Sequence, residues 1–336
     1  MTNNKERQTY IEQFLVGFFN DEAYRCEVVT ADASFRRYLR VYHGEKSYIL
    51  MDSEPNKVDN QPFVDLNANF ALAGIKVPKI LAQNMPHGIL LLEDLGAEHL
   101  ADHISDPSRL EHYMAILDIL PSIATVTKST SMKPYDDGFI TQELEIFENW
   151  LLNSWLDYEL EGTVKERWQE TKLSLVSSIV EQPKVTMHRD FHSRNIMRHD
   201  HQWAVIDYQD AVQGPITYDA VSLLRDCYFK LPADDFLILQ KYSYKTLKKA
   251  QLLGEMTYLE YQYYFDLTGL QRHLKAAGIF ARLLLRDNKA GYLDNIIPTL
   301  QYVVEVAKRH DNYQWLATWL VSEIIPLINS QLNKFK

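Results

Sequence analysis

The sequence has few cysteines and no excess of positive charge, and each shortage excludes a class of protein. Cys26 and Cys227 are the 2 cysteines in 336 residues, too few for a disulfide framework and typical of reduced thiols. The net charge of −10 argues against nucleic acid as a partner, because its binding needs a basic surface. No apolar run is long enough to cross a bilayer.

The N-terminus lacks the pattern of a secretory signal. Residues 1–7 are polar and no apolar segment follows them directly, so this is not a secretory signal. With two reduced thiols, we expect a cytoplasmic chain. We expect no membrane contact, and no obligate protein partner is evident. Hydrophobic residues make up 46% of the chain, which is ample for a large core.

One short segment carries most of the chemical information. Residues His188–Asn195 read H-x-D-x-x-x-x-N, and an Ile-Asp pair ending at Asp207 follows, which is how kinase-type phosphotransferases place a base and two magnesium ligands. Phosphoryl transfer passes through a charge-spread transition state, so its catalysis is mostly positioning and neutralisation. We expect Asp190 to orient an acceptor hydroxyl and take its proton, and Asn195 and Asp207 to hold Mg²⁺.

The residues after the motif predict how the two ligands meet. Residues 196–198 and 203–206 are short apolar-rich runs, and the polar residues 199–202 between them are a plausible turn. A hairpin there would bring Asp207 back beside Asn195, so that a carboxylate and an amide oxygen converge on one hard cation.

Other interpretations of these residues stay open. His188 and His192 are spaced for one helical face and a metal, but Arg189 stands where the zinc-protease pattern has Glu, and no third ligand stands out. Asp207 by itself would be typical of a turn or helix cap. Arg194 could touch phosphate, or it could brace the loop or face solvent.

Strand patterns come first in the chain and helical patterns later. Hydrophobic spacing predicts a first helix near 8–20, strands at 25–30, 35–42, 48–51, 77–83 and 88–92, an internal helix near 62–73, and helical stretches at 110–126, 141–160, 164–180 and from 218 to the end. This order indicates an α+β, protein-kinase-like, two-lobed fold. We predict a nucleotide-binding lobe over 1–95, a helical lobe with the catalytic loop and acceptor site over 96–336, and nucleotide in the cleft between them.

The segment Glu93–Gly96 directly follows an apolar strand. In a two-lobed kinase this is the connector whose backbone meets adenine, so Glu93 and Leu95 are predicted nucleotide contacts. Alone, the segment would be only a turn.

Several blocks of the sequence resemble one enzyme group. They lie at 31–38, 91–96, 188–195, 218–226, 269–275 and 278–283. The block at 188–195 resembles the catalytic motif of the aminoglycoside phosphotransferase and choline kinase-like family. The other blocks resemble those of the bacterial anomeric N-acetylmuramate/N-acetylglucosamine kinases within that family. The likeness extends from about residue 25 to 300.

The resemblance implies a function. It implies ATP- and Mg²⁺-dependent phosphorylation of the C1 hydroxyl of an amino sugar, in peptidoglycan recycling. It also implies that Asp219 braces the catalytic loop. It implies that the loop with Asp32, Ser34 and Phe35 covers the phosphates. Arg36, which follows this loop, and Arg194, beside the metal ligand, are further nucleotide-binding candidates by position.

The chain departs from the usual kinase pattern on the third strand. Met51 stands where kinases place the Lys that holds the phosphates, and the preceding phosphate loop has no glycine. Strand alternation puts Arg36 and Arg40 on one face of the sheet and Arg37 on the other. The candidates for a replacement cation are Arg36, Arg37, Arg40 and Lys46.

Candidate acceptor contacts lie in the last third. Arg272 is the preferred partner for the lactyl carboxylate of N-acetylmuramate, because a planar guanidinium pairs with it bidentately. Arg225 comes next, and Asp219 is a further candidate. The alternative is that Arg272 and Lys275 lie on a solvated helix face.

Two other functions stay open. An aminoglycoside or choline-type phosphotransferase is favoured by the acidic composition, which could attract a cationic acceptor. A non-catalytic pseudokinase is favoured by Met51, although it has no need of the three residues Asp190, Asn195 and Asp207.

Overall fold

The chain divides into two compact units. A computed structural model describes residues 4–29, 36–130 and 132–334. The first unit contains the residues up to His99 together with Ile196–Gln209, and the second contains Leu100–Asn195 and the chain from Asp210 onwards. The chain therefore leaves the first unit, enters the second, and returns briefly to the first.

The first unit is an antiparallel sheet with two helices. Its helices are α1 (Asn4–Phe19) and α2 (Gln61–Leu72), and its strands are β1 (Tyr24–Val29), β2 (Arg36–His43), β3 (Lys46–Ser53), β4 (Ile80–Asn84) and β5 (Ile89–Glu93). The strand order is β1-β2-β3-β5-β4. Ile11 and Leu15 of α1 are buried against Leu39 and Leu50, which belong to one face of the sheet. The apolar side of the amphipathic first helix thus covers that face.

The predicted strand at 77–83 begins later than expected. β4 starts at Ile80, because Pro78 has no N–H to donate to a ladder. The predicted helix near 62–73 is present, with Pro62 in its first turn, where the missing N–H costs nothing.

The second unit is mostly helical. Its helices are α3 (Arg109–Leu117), α4 (Leu120–Ala124), α5 (Asp137–Ile146), α6 (Gly162–Val180), α7 (Tyr218–Leu224), α8 (Ala233–Lys249), α9 (Tyr258–Asp287), α10 (Ile296–Ala307), α11 (Gln314–Trp319) and α12 (Ile325–Leu332). The short strands of the later chain are β6 (Lys184–Met187), β7 (Ile196–His199), β8 (Gln202–Val205) and β9 (Val212–Pro215). β6 pairs with β9, and β7 pairs with β8.

Two of the predicted helical stretches are helical but not continuous. The stretch 110–126 is divided into α3 and α4, with Pro121 in the first turn of α4, where its ring cannot continue the preceding helix. The stretch 141–160 changes at Ile146 from α-helix to a π-helical segment, Phe147–Trp155. Hydrophobic spacing cannot distinguish these cases, because each fragment keeps the apolar pattern.

The long helix α9 runs through the core of the second unit. A capping box between Thr257 and Glu260 begins it, which satisfies two backbone donors that a helix start leaves open. Arg272 and Lys275 are each only 7% exposed. The alternative that these two cations lie on a solvated helix face is therefore wrong. No helix of the described residues is long and apolar enough to span a membrane.

Candidate functional site

The segment His188–Asn195, here called the motif loop, starts from a small sheet in the second unit. β6 leads directly into it and is paired along its whole length with β9. A Cβ at Gly214 of β9 would lie 2.6 Å from the side chain of Met187. Glycine at this position leaves room for the end of the Met187 side chain, directly before the motif loop.

Two carboxylates hold the backbone of the motif loop. Asp219, in the first turn of α7, accepts hydrogen bonds from the N–H groups of His188 at 2.7 Å and Arg189 at 2.9 Å. Asp226 accepts from the N–H of Ser193 at 2.9 Å and from its hydroxyl at 2.5 Å. Arg189 has a φ of +77°, which a non-glycine residue adopts at a cost of about 1–2 kcal/mol. The Asp219 contacts therefore stabilise a strained backbone.

Asp190 presents an ionised carboxylate next to this strained residue. Its side chain accepts no hydrogen bond from any residue that the structure describes. Burial alone would raise the pKa of the Asp190 carboxyl, but Lys275, Arg189, His192 and Arg272 together outweigh burial and lower it to about 2. The carboxylate is thus charged at neutral pH and able to accept a proton or a hydrogen bond.

The two predicted metal ligands flank the open end of a hairpin. The register pairs Ile196 of β7 with Val205 of β8; Asn195 directly precedes β7 and Asp207 closely follows β8. The predicted hairpin is present, and its turn is formed by two residues with positive φ, Asp200 and His201, as hairpin twist requires.

Each predicted ligand also has a local contact. The amide nitrogen of Asn195 donates to the carbonyl of Asp190 at 3.0 Å, which directs the nitrogen, not the oxygen, to the loop. Asp207 has a φ of +65° and accepts from Gln209 at 2.6 Å. Asn195 belongs to the second unit and Asp207 to the first, and their meeting on one ion stays a prediction.

Glu143 of α5 is a site residue that sequence analysis missed. It is 3% exposed and binds the side chains of both Arg189 and Lys275. No motif surrounds it, and it lies far from the motif loop in sequence. The helical pattern of α5 could have identified it as buried, but not as a partner of these cations.

The two candidate acceptor arginines differ in their surroundings. Arg225 donates to Asp266 at 2.7 Å and is 3% exposed, so its charge is already paired. Arg272 donates to the sulfur of Cys227 at 3.7 Å and forms no ion pair with a carboxylate of the described residues. Arg272 is thus a buried cation to which an anionic ligand would supply the missing negative partner.

Arg194 is held against an aromatic ring. Its guanidinium lies 3.6 Å from the ring centre of Tyr228, a cation–π geometry that fixes the side chain. This contact agrees with the interpretation that Arg194 braces the loop.

The predicted nucleotide contacts other than Arg194 all come before residue 96 in the chain. Asp32, Ser34 and Phe35 lie outside the described residues. Glu93 accepts from the ammonium of Lys76 at 3.0 Å and from the N–H of Lys79 at 3.1 Å. Leu95 is buried in a small apolar cluster with Met197 and Ala204.

The candidates for a replacement cation differ in how they are held. Met51 is fully buried. Arg37 binds Asp52, and Arg40 binds Asp94 with its Nε at 2.7 Å. Arg36 is half-buried, and Lys46 is exposed.

A different part of the second unit has metal-ligand geometry. His103, Asp106 and His112 bring one donor atom each to within 4.8 Å of one another. His188 and His192 belong to no such group among the described residues.

Comparisons with known proteins agree on one family. The model of the phosphotransferase enzyme family matches residues 25–250. The chain is 36% identical over 293 residues to the N-acetylmuramate/N-acetylglucosamine kinase of Pseudomonas aeruginosa, covering 87% of each chain. It is 32% identical to the kinase of the same name from Pseudomonas putida, covering 89% of this chain and 90% of the relative.

A solved structure confirms the predicted fold class. A choline/ethanolamine kinase family protein from Mesorhizobium loti matches with a TM-score of 0.63 at 10% identity, covering 91% of this chain and 96% of the other. At this identity the likeness concerns the fold alone.

Proposed function

Because the chain belongs to the phosphotransferase enzyme family, we propose that it is a kinase which phosphorylates the C1 hydroxyl of N-acetylmuramate and N-acetylglucosamine from ATP. The names of its relatives support this substrate pair. Such a reaction would return cell-wall amino sugars to the precursor pool, and we place it in the cytoplasm.

The setting of Asp190 is the observation that carries the proposal. A general base must be ionised, must be positioned, and must have an oxygen available to the proton it takes. Asp190 meets each condition, since its pKa is about 2, its loop is held by Asp219 and Asp226, and its carboxylate accepts no hydrogen bond from the described residues. In our proposal Asp190 orients the C1 hydroxyl and receives its proton on a carboxylate oxygen.

The donor set predicted for the metal fits magnesium. Asn195 offers an amide oxygen and Asp207 a carboxylate, the hard oxygen ligands that Mg²⁺ prefers. Bound Mg-ATP would supply the phosphoryl group and the positive charge that neutralises it. Asn195 also fixes the Asp190 carbonyl, so one side chain would link the metal site to the base.

The charges near Asp190 favour an anionic acceptor. Arg189, Arg272 and Lys275 all act on its carboxylate. We propose that Arg272 binds the lactyl carboxylate of N-acetylmuramate, because its charge has no carboxylate partner among the described residues. Arg189 and Lys275 are paired with Glu143, so Arg272 is the cation that would repel an aminoglycoside or choline and counts against those acceptors.

Phosphorus NMR tests the proposed function directly. Purified protein is incubated with ATP, Mg²⁺ and one acceptor at a time, and we expect a sugar 1-phosphate signal with N-acetylmuramate and with N-acetylglucosamine. Choline and an aminoglycoside serve as controls and should give no product. Turnover of a control acceptor without either sugar would replace our assignment with the rival one.

A further inference from the structure

The carboxylate of Glu143 is saturated by four donors. Its Oε1 accepts from Arg189 Nη2 at 2.7 Å and from Lys275 Nζ at 3.0 Å. Its Oε2 accepts from the hydroxyl of Tyr135 at 2.5 Å and from Gln271 Nε2 at 3.0 Å. Glu143 therefore has no capacity to bind an acceptor itself, and its contacts concern other residues of the site.

Both cations that Glu143 binds also lie near Asp190. Arg189 directly precedes Asp190, and Lys275 has the largest favourable effect on the ionised form of that carboxylate. Neither cation forms an ion pair with Asp190; each forms one with Glu143. Glu143 thus neutralises the two cations, and the carboxylate of Asp190 is left available for the acceptor.

We propose that Glu143 is a positioning residue, which binds Arg189 and Lys275 so that these cations do not capture Asp190. This inference rests on the proposed role of Asp190 as the base that meets the acceptor hydroxyl. After Glu143, Asp190 is the carboxylate whose charge acts on both cations. Without the charge of Glu143, its oxygens turn from the acceptor to Lys275 and Arg189.

The energetics of buried ion pairs support this reading. Burying a carboxylate and its partners carries a large desolvation cost. Apolar residues of similar volume in their place often stabilise a fold at least equally. Compared with apolar residues in the same place, the charge cluster beside Asp190 therefore adds little stability, whereas it fixes where each charge lies. Glu143 also anchors the side chain of Arg189, whose backbone φ is +77°.

Glu143→Gln keeps the size of the side chain and removes its charge. We expect kcat with N-acetylglucosamine to fall about a hundredfold, as loss of a well-placed base predicts, while KM for ATP stays within about twofold. Adding Lys275→Met removes one excess cation and should raise kcat of Glu143→Gln about tenfold. A purely structural role for Glu143 predicts that the double variant is worse than either single variant.

Asp266 offers a matched control in the same unit. It is a buried carboxylate that binds Arg225, Arg309 and His310. Asp266→Asn should lower Tm as Glu143→Gln does, yet keep kcat within about threefold, since it touches no residue of the motif loop. An equal loss of kcat in both variants would show that breaking any buried ion pair of this unit lowers kcat, and would overturn the inference.

A second measurement does not depend on turnover. In the background of Glu143→Gln, Asp190 is expected to have become the partner of Lys275, so adding Asp190→Asn should lower Tm by more than the sum of the two single changes. Additive shifts in Tm would contradict the inference even if the chain phosphorylates neither sugar. Absence of wild-type turnover alone would contradict only the proposed function.

Discussion

Asp190 is the residue whose charge the proposed reaction needs most. Asp190→Asn keeps its shape and removes its ability to take a proton, so we expect kcat to fall by about three to four orders of magnitude. Binding of ATP, followed by calorimetry, should be nearly unchanged, because Asp190 is assigned to the acceptor. If Asp190→Asn kept its turnover, another group would have to be the base. If the wild type showed no turnover, the result would favour the pseudokinase alternative.

Arg272 determines, in our proposal, which of the two sugars is bound more tightly. Arg272→Gln removes a charged hydrogen bond worth about 1.5–3 kcal/mol, so kcat/KM for N-acetylmuramate should fall about ten- to a hundredfold relative to N-acetylglucosamine, which has no lactyl carboxylate. The ratio of the two sugars in one competition assay measures this. Arg225→Gln is the matched control: it breaks the pair with Asp266 and should lower Tm without changing the ratio.

Glu143 makes the stability of the fold depend on pH. Burial alone would raise its pKa, but Lys275 and Arg189 outweigh burial and lower it from 4.5 to about 2. A group whose pKa is lowered on folding stabilises the fold at pH values above its pKa in the unfolded chain. This stabilisation is lost as the pH falls towards its pKa in the folded chain. The difference in Tm between wild type and Glu143→Gln should therefore narrow as the pH falls from about 5 to 3. A constant difference across this range would show that the charge of Glu143 does not stabilise the fold.

At the scale of elements, the contact between α9 and α5 depends on a missing side chain. A Cβ at Gly278 would lie 2.6 Å from the backbone of Ile146 and Phe147, where the α-helix passes into the π-helical segment. Gly278→Ala should destabilise the fold by about 1–3 kcal/mol, because the backbone has to move. Urea denaturation measures this change. Gly17→Ala in α1 is the control, since open space surrounds that position, and it should stabilise by about 0.5–1 kcal/mol.

The helix and strand types were predictable from sequence, whereas several of their ends were not. The alternation of apolar residues located the sheet and the hairpin of β7 and β8, because these patterns are local. The strands β6 and β9 were missed, since four residues each are too few to show a period. The π-helical segment after Ile146 was also missed. It begins where the chain packs on Gly278, a residue far along the sequence.

The same distinction applies to the candidate site. Asp190, Asn195 and Asp207 could be named because their spacing is short and specific. Glu143 and Asp226 could not be given roles, because nothing near them in the sequence indicates which backbone or cation they bind. The local motif thus identifies the residues proposed to do chemistry, while the long-range fold supplies those that hold them.

At the scale of the whole chain, the segment Ile196–Gln209 links distant parts of the sequence within the first unit. The N–H of Val205 donates to the carbonyl of Lys76 at 2.8 Å, and the N–H of Arg198 donates to that of Glu98 at 2.8 Å. Tyr208 lies fully buried against α2. The first unit is therefore incomplete until the chain has passed through Leu100–Asn195, the first part of the second unit.

Tyr208 gives a test of this dependence. Its ring packs on Phe63 and Phe70, and its hydroxyl accepts from the amide of Asn67 at 2.6 Å. Tyr208→Ala should cost about 3–5 kcal/mol, as removal of a buried aromatic ring does, and hydrogen exchange should become faster in α2, although that helix is far away in sequence. Tyr208→Phe keeps the ring and loses the hydrogen bond, so its cost should be about 1 kcal/mol with α2 still protected. Unchanged exchange in α2 of Tyr208→Ala would mean that the first unit reaches its stability without the returning segment.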